Sequence, residues 1–373
     1  MSQAQPRALL LSVGYGQGHH AAAAAIAEEL AARGWSTRTE DPCALAHPHI
    51  FRATQHFYHF CVRRAPWLWG VTYAQTDTAD WSRQVMRPII RGCTERVREL
   101  LLSYRPDAVF CTYPLFAYML DHLAASEGLS IPYTLVVTDA IEISRPWMTT
   151  RAPLICVPDE YSAAMACERY ALSPRRLIAT GFPVRRAFRS AERGKDSPQA
   201  DTLRIVYGAF CSIRRCRDEI AALLHRYPRA HIDILAGERL ERLRSALAPL
   251  GISPERRSIQ LIAHTDRLHD LFAGAHLYIG KAGAATVFEA YASGLPVIIN
   301  YSLPGQEQGN LELLLRDDCG LYAEGPSDLT RAVEHMLARG AHCWNTMRTR
   351  MQSTRRAGGA AAIVNAALTR LEP

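Results

Sequence analysis

Short apolar runs that alternate with amphipathic helical patterns restrict this chain to one class of fold. The runs in the first half are, in chain order, 8–13, 108–112, 133–138, 154–157 and 177–180. After Thr202 the alternation begins again with "LRIVYG", "HIDILAG", "IQLIAH", "LYIGKAG" and "PVIIN". Strands that are apolar on both faces and are separated by helices form parallel sheets with helices on both sides. We therefore expect an α/β protein with two Rossmann-like, doubly wound domains.

The boundary between these domains is indicated by a segment rich in charge, proline and serine, "GFPVRRAFRSAERGKDSPQADT". We expect an N-terminal domain over 1–185, a C-terminal domain over 201–342 and a final helical stretch over 343–373. The aromatic and basic segment 42–103 fits the alternation poorly, so we expect helices that extend beyond the first sheet. Ligands of such sheets bind at the carboxyl ends of the strands, and two facing domains would form a cleft there.

The turn after the first apolar run carries three glycines and two histidines in "GYGQGHH". Glycine permits a close approach of a ligand to the backbone, and His19 would lie at the carboxyl end of the first strand. Asp139 ends the run "TLVVTD" in the same way, although a lone aspartate there could also cap a helix. The histidine pairs lack carboxylates or cysteines at zinc-site spacing, so we expect no metal.

A second turn, in "LYIGKAGAATVFEAY", has small residues between a strand and a helix. Such a helix start offers free N–H groups and a positive dipole end to a diphosphate. Glu289, in the same helix, could accept the hydroxyls of a ribose. The next run ends in "YSLPGQEQGN", where Gln306, Glu307 and Asn310 suit a sugar ring. This second signature argues against a dehydrogenase, the other reading of a Gly-x-Gly turn.

The ordered set of these motifs resembles the diacylglycerol glycosyltransferases. That family includes the monogalactosyldiacylglycerol synthases and the bacterial diglucosyldiacylglycerol synthases, and it is related to the lipid-linked N-acetylglucosaminyltransferase of peptidoglycan synthesis. The resembling stretches are "GYGQGHHAAAAAI", "FYHFCVRRAPWLWGVTYAQTD", "VVTDA", "TGFPVRRAF" and "GKAGAATVFEAYASGLPVIIN…PGQEQGN". The resemblance implies a GT-B fold, with a lipid acceptor on the N-terminal domain, a UDP-sugar on the C-terminal one, and a final helix that returns to the former.

The resemblance also implies inverting transfer without a metal or other cofactor. Such a reaction needs a base on the acceptor hydroxyl, for which His19 and Asp139 are the candidates. It also needs positive charge at the departing diphosphate. We expect this diphosphate at Gly208, Gly283, Ala284, Ala285 and Thr286.

Three departures from the family pattern leave alternatives open. Ser144 stands where the family has histidine, Gly280 stands where it has a small hydroxyl residue, and the turn "YGAFCSIRRCRDE" has less glycine than usual. In that turn Arg214 and Arg215 could hold the phosphates or could be solvated helix residues. The alternatives are transfer to another lipid or hydrophobic acceptor, a sugar-nucleotide epimerase, or a non-catalytic binding homologue.

The segment between Phe51 and Arg105 holds nine arginines against four acidic residues, interleaved with aromatic residues. This composition suits contact with anionic lipid, although single aromatics could pack in the core. The residues expected at the acceptor and membrane surface are Gly16, Gly18, Arg63, Arg64, Trp67 and Trp69. No nucleic-acid module is recognisable, and the ten cysteines are scattered singly. We expect a cytoplasmic protein bound peripherally to the inner face of the membrane.

Overall fold

The computed structural model describes residues 5–15, 18–190, 196–251, 258–305, 307–354 and 356–371. Two of the predicted site residues, Gly16 and Gln306, lie outside these ranges, as do the side chains of Arg63 and Arg64. The chain divides into two compact units. The first comprises 1–186, 304–309 and 355–373, and the second comprises 187–303 and 310–354.

The first unit is built on a six-stranded parallel sheet in the order β2-β1-β3-β4-β5-β6. Its strands are β1 (Arg7–Leu11), β2 (Ser36–Glu40), β3 (Ala108–Cys111), β4 (Tyr133–Val136), β5 (Leu154–Val157) and β6 (Leu177–Ala179). Its helices before the linker are α1 (Gly18–Ala31), α2 (Pro42–Ala46), α3 (Pro48–Arg64), α4 (Pro66–Thr78), α5 (Trp81–Gln84), α6 (Pro88–Tyr104), α7 (Pro114–Glu127), α8 (Arg145–Met148) and α9 (Glu160–Tyr170). The order reverses between β1 and β3, and ligands of such sheets bind at this reversal.

The second unit has a six-stranded parallel sheet in the order β12-β11-β10-β7-β8-β9. Its strands are β7 (Arg204–Gly208), β8 (His231–Leu235), β9 (Ile259–Ile262), β10 (Leu277–Lys281), β11 (Val297–Tyr301) and β12 (Gly320–Tyr322). The remaining helices are α10 (Arg186–Ser190), α11 (Ile213–Arg226), α12 (Leu240–Leu247), α13 (Leu268–Gly274), α14 (Ala284–Ala292), α15 (Gln308–Arg316), α16 (Pro326–Ser353) and α17 (Gly359–Thr369). The strand order is that of a Rossmann fold, with its reversal between β7 and β10. The predicted α/β class with two doubly wound parallel sheets is confirmed.

The segment that fits the strand and helix alternation poorly forms the helices α2 to α6 between β2 and β3. Four of these helices, α2, α3, α4 and α6, have proline in their first turn. Proline is favoured at this position because its fixed φ suits the helix and its missing N–H would have no intrahelical acceptor. The prolines that interrupt the alternation in the sequence are thus helix starts.

The final helical stretch is divided between the two units. α16 is interrupted by non-helical residues at 338–341, and its second part places Trp344 and Met347 in the core of the second unit. α17 belongs to the first unit, where Ile363 and Val364 pack in the cluster that contains Leu10 of β1. The return to the first sheet therefore begins after Ser353 and not at residue 343, because α16 ends there and its apolar residues are already buried.

Candidate active site

The glycine turn after β1 is held by two side chains of the first unit. The Gly14 N–H donates to Asp41 Oδ2 at 3.1 Å, and Gln55 Nε2 donates to the Gly14 carbonyl at 2.7 Å. A Cβ at Gly14 would lie 2.8 Å from Gln55 Nε2, so a larger residue would displace this contact. Gly18, in contrast, has open space around its Cα and begins α1.

His19, the second residue of α1, is buried in the first unit. Its Nδ1 lies 3.1 Å from Thr138 Oγ1, and its ring meets the Tyr113 ring edge-on at 5.2 Å. Burial lowers the pKa of His19 to about 4. At neutral pH the imidazole is therefore uncharged, and one of its ring nitrogens can accept a proton or a hydrogen bond.

Asp139 lies just beyond the carboxyl end of β4 and does not cap a helix, since the next helix begins at Arg145. Trp147 Nε1 donates to Asp139 Oδ2 at 3.1 Å. Burial raises the pKa of Asp139 to about 7, with a further contribution from the negative charge of Glu307. A carboxyl group with this pKa can gain or lose a proton near neutral pH.

His19 and Asp139 line one cavity of about 240 Å³ in the first unit. Half of the sixteen residues that line it are tyrosine, phenylalanine or tryptophan, namely Tyr15, Phe57, Tyr58, Trp69, Tyr73, Trp81, Tyr113 and Trp147. Ser144, which stands where the family has histidine, lines the same cavity. The sequence predicted no role in the site for Thr138, Tyr113 or Trp147, because a pattern of residue types does not reveal which side chains converge.

Trp67 and Trp69, which the sequence placed on one surface, have different environments. Trp69 lines the cavity and packs edge-on against Tyr58 with ring centroids 4.7 Å apart. Trp67 is 70% exposed, and Phe57, Phe60 and Val71 are also largely exposed. The aromatic segment therefore supplies both a cavity wall and an apolar surface.

The predicted sugar-binding loop contributes its segment 304–309 to the first unit. Glu307 is buried, and its charge acts on Asp139. A Cβ at Gly309 would overlap the carbonyl oxygen of Ala140, so only glycine permits this approach. The sequence pointed to the second domain for all of this loop, but Glu307 belongs to the first unit. Asn310 belongs to the second unit, where its Nδ2 donates to the Ala282 carbonyl at 3.1 Å.

In the second unit, Gly283 is the N-cap of α14 with extended backbone angles (φ −70°, ψ 130°). Glycine offers no side-chain acceptor to the first-turn N–H groups, which belong to the predicted residues Ala284, Ala285 and Thr286. Glu289 is buried on the same helix. The arrangement leaves the positive end of α14 available to an anion.

Packing around Tyr278 explains why glycine stands at positions 208 and 280, near the ends of β7 and β10. A Cβ at Gly208 would lie 2.6 Å from the Phe210 ring and 2.8 Å from Tyr278 Oη, and a Cβ at Gly280 would overlap the Tyr278 ring. Both glycines therefore make room for the buried side chain of Tyr278. This packing requirement accounts for Gly208 and Gly280 whether or not a diphosphate binds nearby.

Arg215 fits neither of the two roles that the sequence left open. Its Nε donates to the fully buried Glu219 at 2.7 Å, and its Nη2 donates to the carbonyls of Asn300 at 2.7 Å and Ala323 at 3.2 Å. Arg214 is exposed and lies 3.9 Å from Asp218. Arg215 thus joins α11 to β11 and to the residue that follows β12.

Neither a metal-binding cluster nor a membrane-spanning helix occurs among the residues that the structure describes. Within those residues no group of three or more His, Cys, Asp and Glu side chains is arranged to hold a metal ion. No helix among them is long and apolar enough to span a bilayer.

Two family models match the chain in succession. Residues 19–184 match monogalactosyldiacylglycerol (MGDG) synthase, and residues 223–315 match the glycosyltransferase family 28 C-terminal domain. The first match begins at His19 and includes Asp139, and the second includes α14 and Asn310.

Individual proteins agree with these matches. The chain is 25% identical over 360 residues to a probable chloroplastic monogalactosyldiacylglycerol synthase of Nicotiana tabacum, covering 89% of this chain and 64% of that protein. It is 22% identical over 340 residues to the processive diacylglycerol beta-glucosyltransferase of Bacillus subtilis strain 168, covering 89% and 87% respectively. This chain spans a little under two thirds of the length of the plant relatives it matches.

The crystal structure of Acinetobacter baumannii MurG is similar with a TM-score of 0.62 at 14% identity, covering 98% of this chain and 99% of that one. This similarity confirms the GT-B fold class. The chain therefore carries a region that matches the monogalactosyldiacylglycerol synthase family, followed by a region that matches the glycosyltransferase family 28 C-terminal domain.

Proposed function

We propose that the protein is an inverting, metal-independent glycosyltransferase that moves a hexose from a UDP-sugar to the hydroxyl of diacylglycerol. The observation that carries this proposal is the aromatic cavity that contains both His19 and Asp139. A cavity lined by rings suits an apolar acceptor, and its few polar groups suit one hydroxyl. The two family-model matches support the reaction class.

Asp139 is the proton acceptor in this proposal. A general base works best when its pKa lies near the working pH, and the pKa of Asp139 is raised to about 7, whereas that of His19 is lowered to about 4. Asp139 takes the proton of the acceptor hydroxyl while the hydroxyl oxygen forms a bond to the anomeric carbon of the sugar. At the same time the bond from that carbon to the diphosphate breaks. His19 remains neutral and orients the acceptor, while Thr138 holds its ring.

The second unit holds the donor in this proposal. The start of α14 at Gly283, Ala284, Ala285 and Thr286 receives the diphosphate, so the helix dipole stabilises the charge of the leaving UDP in place of a metal ion. Glu289 accepts hydrogen bonds from the ribose hydroxyls, and Asn310 contacts the sugar. A sugar-binding role for Gln306 and Glu307, which belong to the segment 304–309 of the first unit, stays a prediction. Gly208 keeps the neighbouring turn close to the diphosphate.

The acceptor cavity is smaller than the roughly 300 Å³ at which pockets for drug-sized ligands begin. At about 240 Å³ it can hold the glycerol part of a diacylglycerol but not its chains. The chains would lie along the exposed apolar residues of α3 and α4, which include Phe60 and Trp67. We therefore place this surface on the inner face of the membrane, where the neighbouring arginines would meet anionic lipid.

The proposed membrane-binding surface can be tested by substituting Trp67 and Trp69 one at a time. We expect Trp67→Ala to reduce sedimentation with anionic vesicles several-fold, because Trp67 is 70% exposed and would insert among headgroups. Trp69→Ala should change vesicle binding little, because Trp69 faces the cavity. Leu250→Ala, at an exposed apolar residue of the second unit, is the matched control. Equal losses for Trp67→Ala and Leu250→Ala would argue against the surface.

The orienting role of His19 gives a second prediction. We expect His19→Ala to lower turnover by about tenfold to a hundredfold, with UDP affinity unchanged in calorimetry. His49→Ala, at an exposed histidine of α3, serves as the control. Turnover near that of the wild type would remove His19 from the mechanism.

The proposed reaction is tested by a transfer assay with radiolabelled donors. UDP-glucose, UDP-galactose and UDP-N-acetylglucosamine are each offered with diacylglycerol in anionic vesicles, and release of free UDP is followed in parallel. Label in the lipid phase is the expected result and identifies the sugar. Binding of UDP without transfer or release from any donor would contradict the enzymatic proposal.

A second acceptor class is favoured by one observation, the presence of Ser144 in the cavity wall. A hydroxymethyl side chain leaves more room than the imidazole usual in the family, so another lipid or a hydrophobic natural product could fit. Release of UDP only when such an acceptor replaces diacylglycerol would support this alternative.

A further inference from the structure

Two cysteines lie side by side where the chain enters α11. The Sγ atoms of Cys211 and Cys216 are 3.4 Å apart, and both side chains are buried. Ser212 between them is the N-cap of α11, and its side chain accepts the Arg215 N–H at 3.2 Å. Cys211 thus precedes the N-cap, and Cys216 is the fourth helical residue. At these two positions proteins commonly place a pair of apolar side chains, the hydrophobic staple that fixes the entry angle of a helix.

The two thiols of this staple have unequal environments. Arg239 Nη2 lies 3.7 Å from Cys216 Sγ, and its Nη1 donates to the Cys211 carbonyl at 2.6 Å. The hydrogen bond from the Cys211 thiol, together with the charge of Arg239, lowers the pKa of Cys216. The same partnership and burial raise the pKa of Cys211. One thiol is therefore predisposed to act as the thiolate and the other to remain protonated, which is the division of roles in reactive cysteine pairs.

We propose that Cys211 and Cys216 form a reversible disulfide, which makes the start of α11 a site of oxidative modification by hydroperoxides. A disulfide joins sulfurs about 2.05 Å apart, so the pair must close from 3.4 Å, and we expect rotation of the two side chains to bring about this closure. Both residues lie at the start of α11, so the disulfide would not link α11 to another helix or strand.

The chemistry proceeds in two steps. The Cys216 thiolate attacks the peroxide, an S–O bond forms, the O–O bond breaks, and the released hydroxide takes a proton to become water. Cys211 then gives up its proton and attacks the Cys216 sulfur, so that the S–S bond forms, the S–O bond breaks and a second water leaves. Overall, two thiols and one hydrogen peroxide give one disulfide and two waters. A small hydroperoxide suits this pair better than a protein disulfide, because both sulfurs are buried beneath the turn.

The modification would act on the turn that follows β7, at the strand-order reversal of the second sheet. It would replace the contact between Cys216 and Arg239 with a covalent link across the helix start. The site does not depend on the proposed transfer reaction, and its test contains no transfer step.

The test uses the full chain, freed of reductant and treated with hydrogen peroxide at neutral pH. Remaining thiols are blocked with N-ethylmaleimide under denaturing conditions, and the protein is digested with trypsin without reduction. Because Arg214 and Arg215 lie between the two cysteines, the disulfide would join peptide 205–214 to the dipeptide 216–217. We expect this linked peptide to form at least about tenfold faster than Cys319, a buried cysteine in the same unit, is oxidised. Dithiothreitol should abolish it.

Variants assign the roles of the two thiols. Cys211→Ser should leave Cys216 as a sulfenic acid that dimedone traps, whereas Cys216→Ser should remove both the link and the trapped species. Cys319→Ser is the matched control and should leave the link intact. Full maleimide labelling of wild-type Cys211 and Cys216, over a peroxide range that oxidises glutathione in the same tube, would overturn the proposal. Because this measurement uses the unmodified protein, misfolding of a variant does not affect it.

Discussion

Replacing Asp139 with asparagine is expected to lower transfer about 10²- to 10⁴-fold, the range over which a general base contributes. Asparagine keeps an oxygen for the Trp147 N–H, which lies 3.1 Å from Asp139 Oδ2, but it cannot take the proton of the acceptor. Turnover measured with saturating donor and acceptor gives the loss, and calorimetry with UDP should show unchanged affinity. Asp201→Asn, at an exposed carboxylate, is the control. A rate within a few-fold of wild type would assign the base elsewhere.

The pH dependence gives an independent check on Asp139. Because the ionised carboxylate is the active form and its pKa is raised to about 7, turnover should rise with pH through about 7 and level off above it. Glu307→Gln removes a negative charge that helps to raise this pKa, so the rise should move to lower pH. A rate that stays constant between about pH 5.5 and about 8.5 would exclude a base of this pKa.

Arg215→Met is expected to cost about 3–5 kcal/mol of the free energy of unfolding of the second unit. The substitution leaves Glu219 fully buried without its ion-pair partner, which is 2.7 Å away in the native protein. It also removes the donors to the carbonyls of Asn300 and Ala323. When urea unfolding of the full chain is monitored by circular dichroism, the transition should occur at a lower urea concentration than in the wild type.

The neighbouring residue provides a matched control for this loss. Arg214→Met changes an exposed side chain in the same turn of α11 and should alter stability by less than about 0.5 kcal/mol. Similar changes in the free energy of unfolding for the two variants would mean that the contacts of Arg215 contribute little to stability. The sequence could not distinguish these arginines, because adjacent helix positions differ in what lies opposite them and not in residue type.

The sequence predicted the two parallel sheets because most of their strands are apolar runs with a helix between them. It missed the edge strands β2, whose sequence STRTE is polar, and β12, which has only three residues. It also located α14 and its glycine N-cap, since a strand, a small-residue turn and a helix follow one another directly. Local order of this kind depends on residues that are close in the chain. The predicted start of the returning segment was less accurate. Trp344 and Met347 could be buried in the apolar core of either unit, and the sequence does not show that they pack in the core of the second.

The parts of the site that the sequence missed depend on distant residues. The contact of the 304–309 segment with Ala140 joins positions far apart in the chain, and only the glycine at 309 hints at it. The role of Gly208 depends on Tyr278, which belongs to another strand. The separate environments of Trp67 and Trp69 arise because two residues so close on a helix point in different directions.

The position of α17 has a consequence for the order in which the protein can fold during synthesis. The first unit requires residues 355–373, whereas every residue of the second unit has been made by Thr354. Until α17 emerges, the apolar face that contains Leu10, Phe110 and Val136 lacks Ile363 and Val364, which cover it in the native protein. The unit that begins first along the chain is therefore completed last, and a fragment that ends at the linker would expose this apolar face to aggregation or to chaperones.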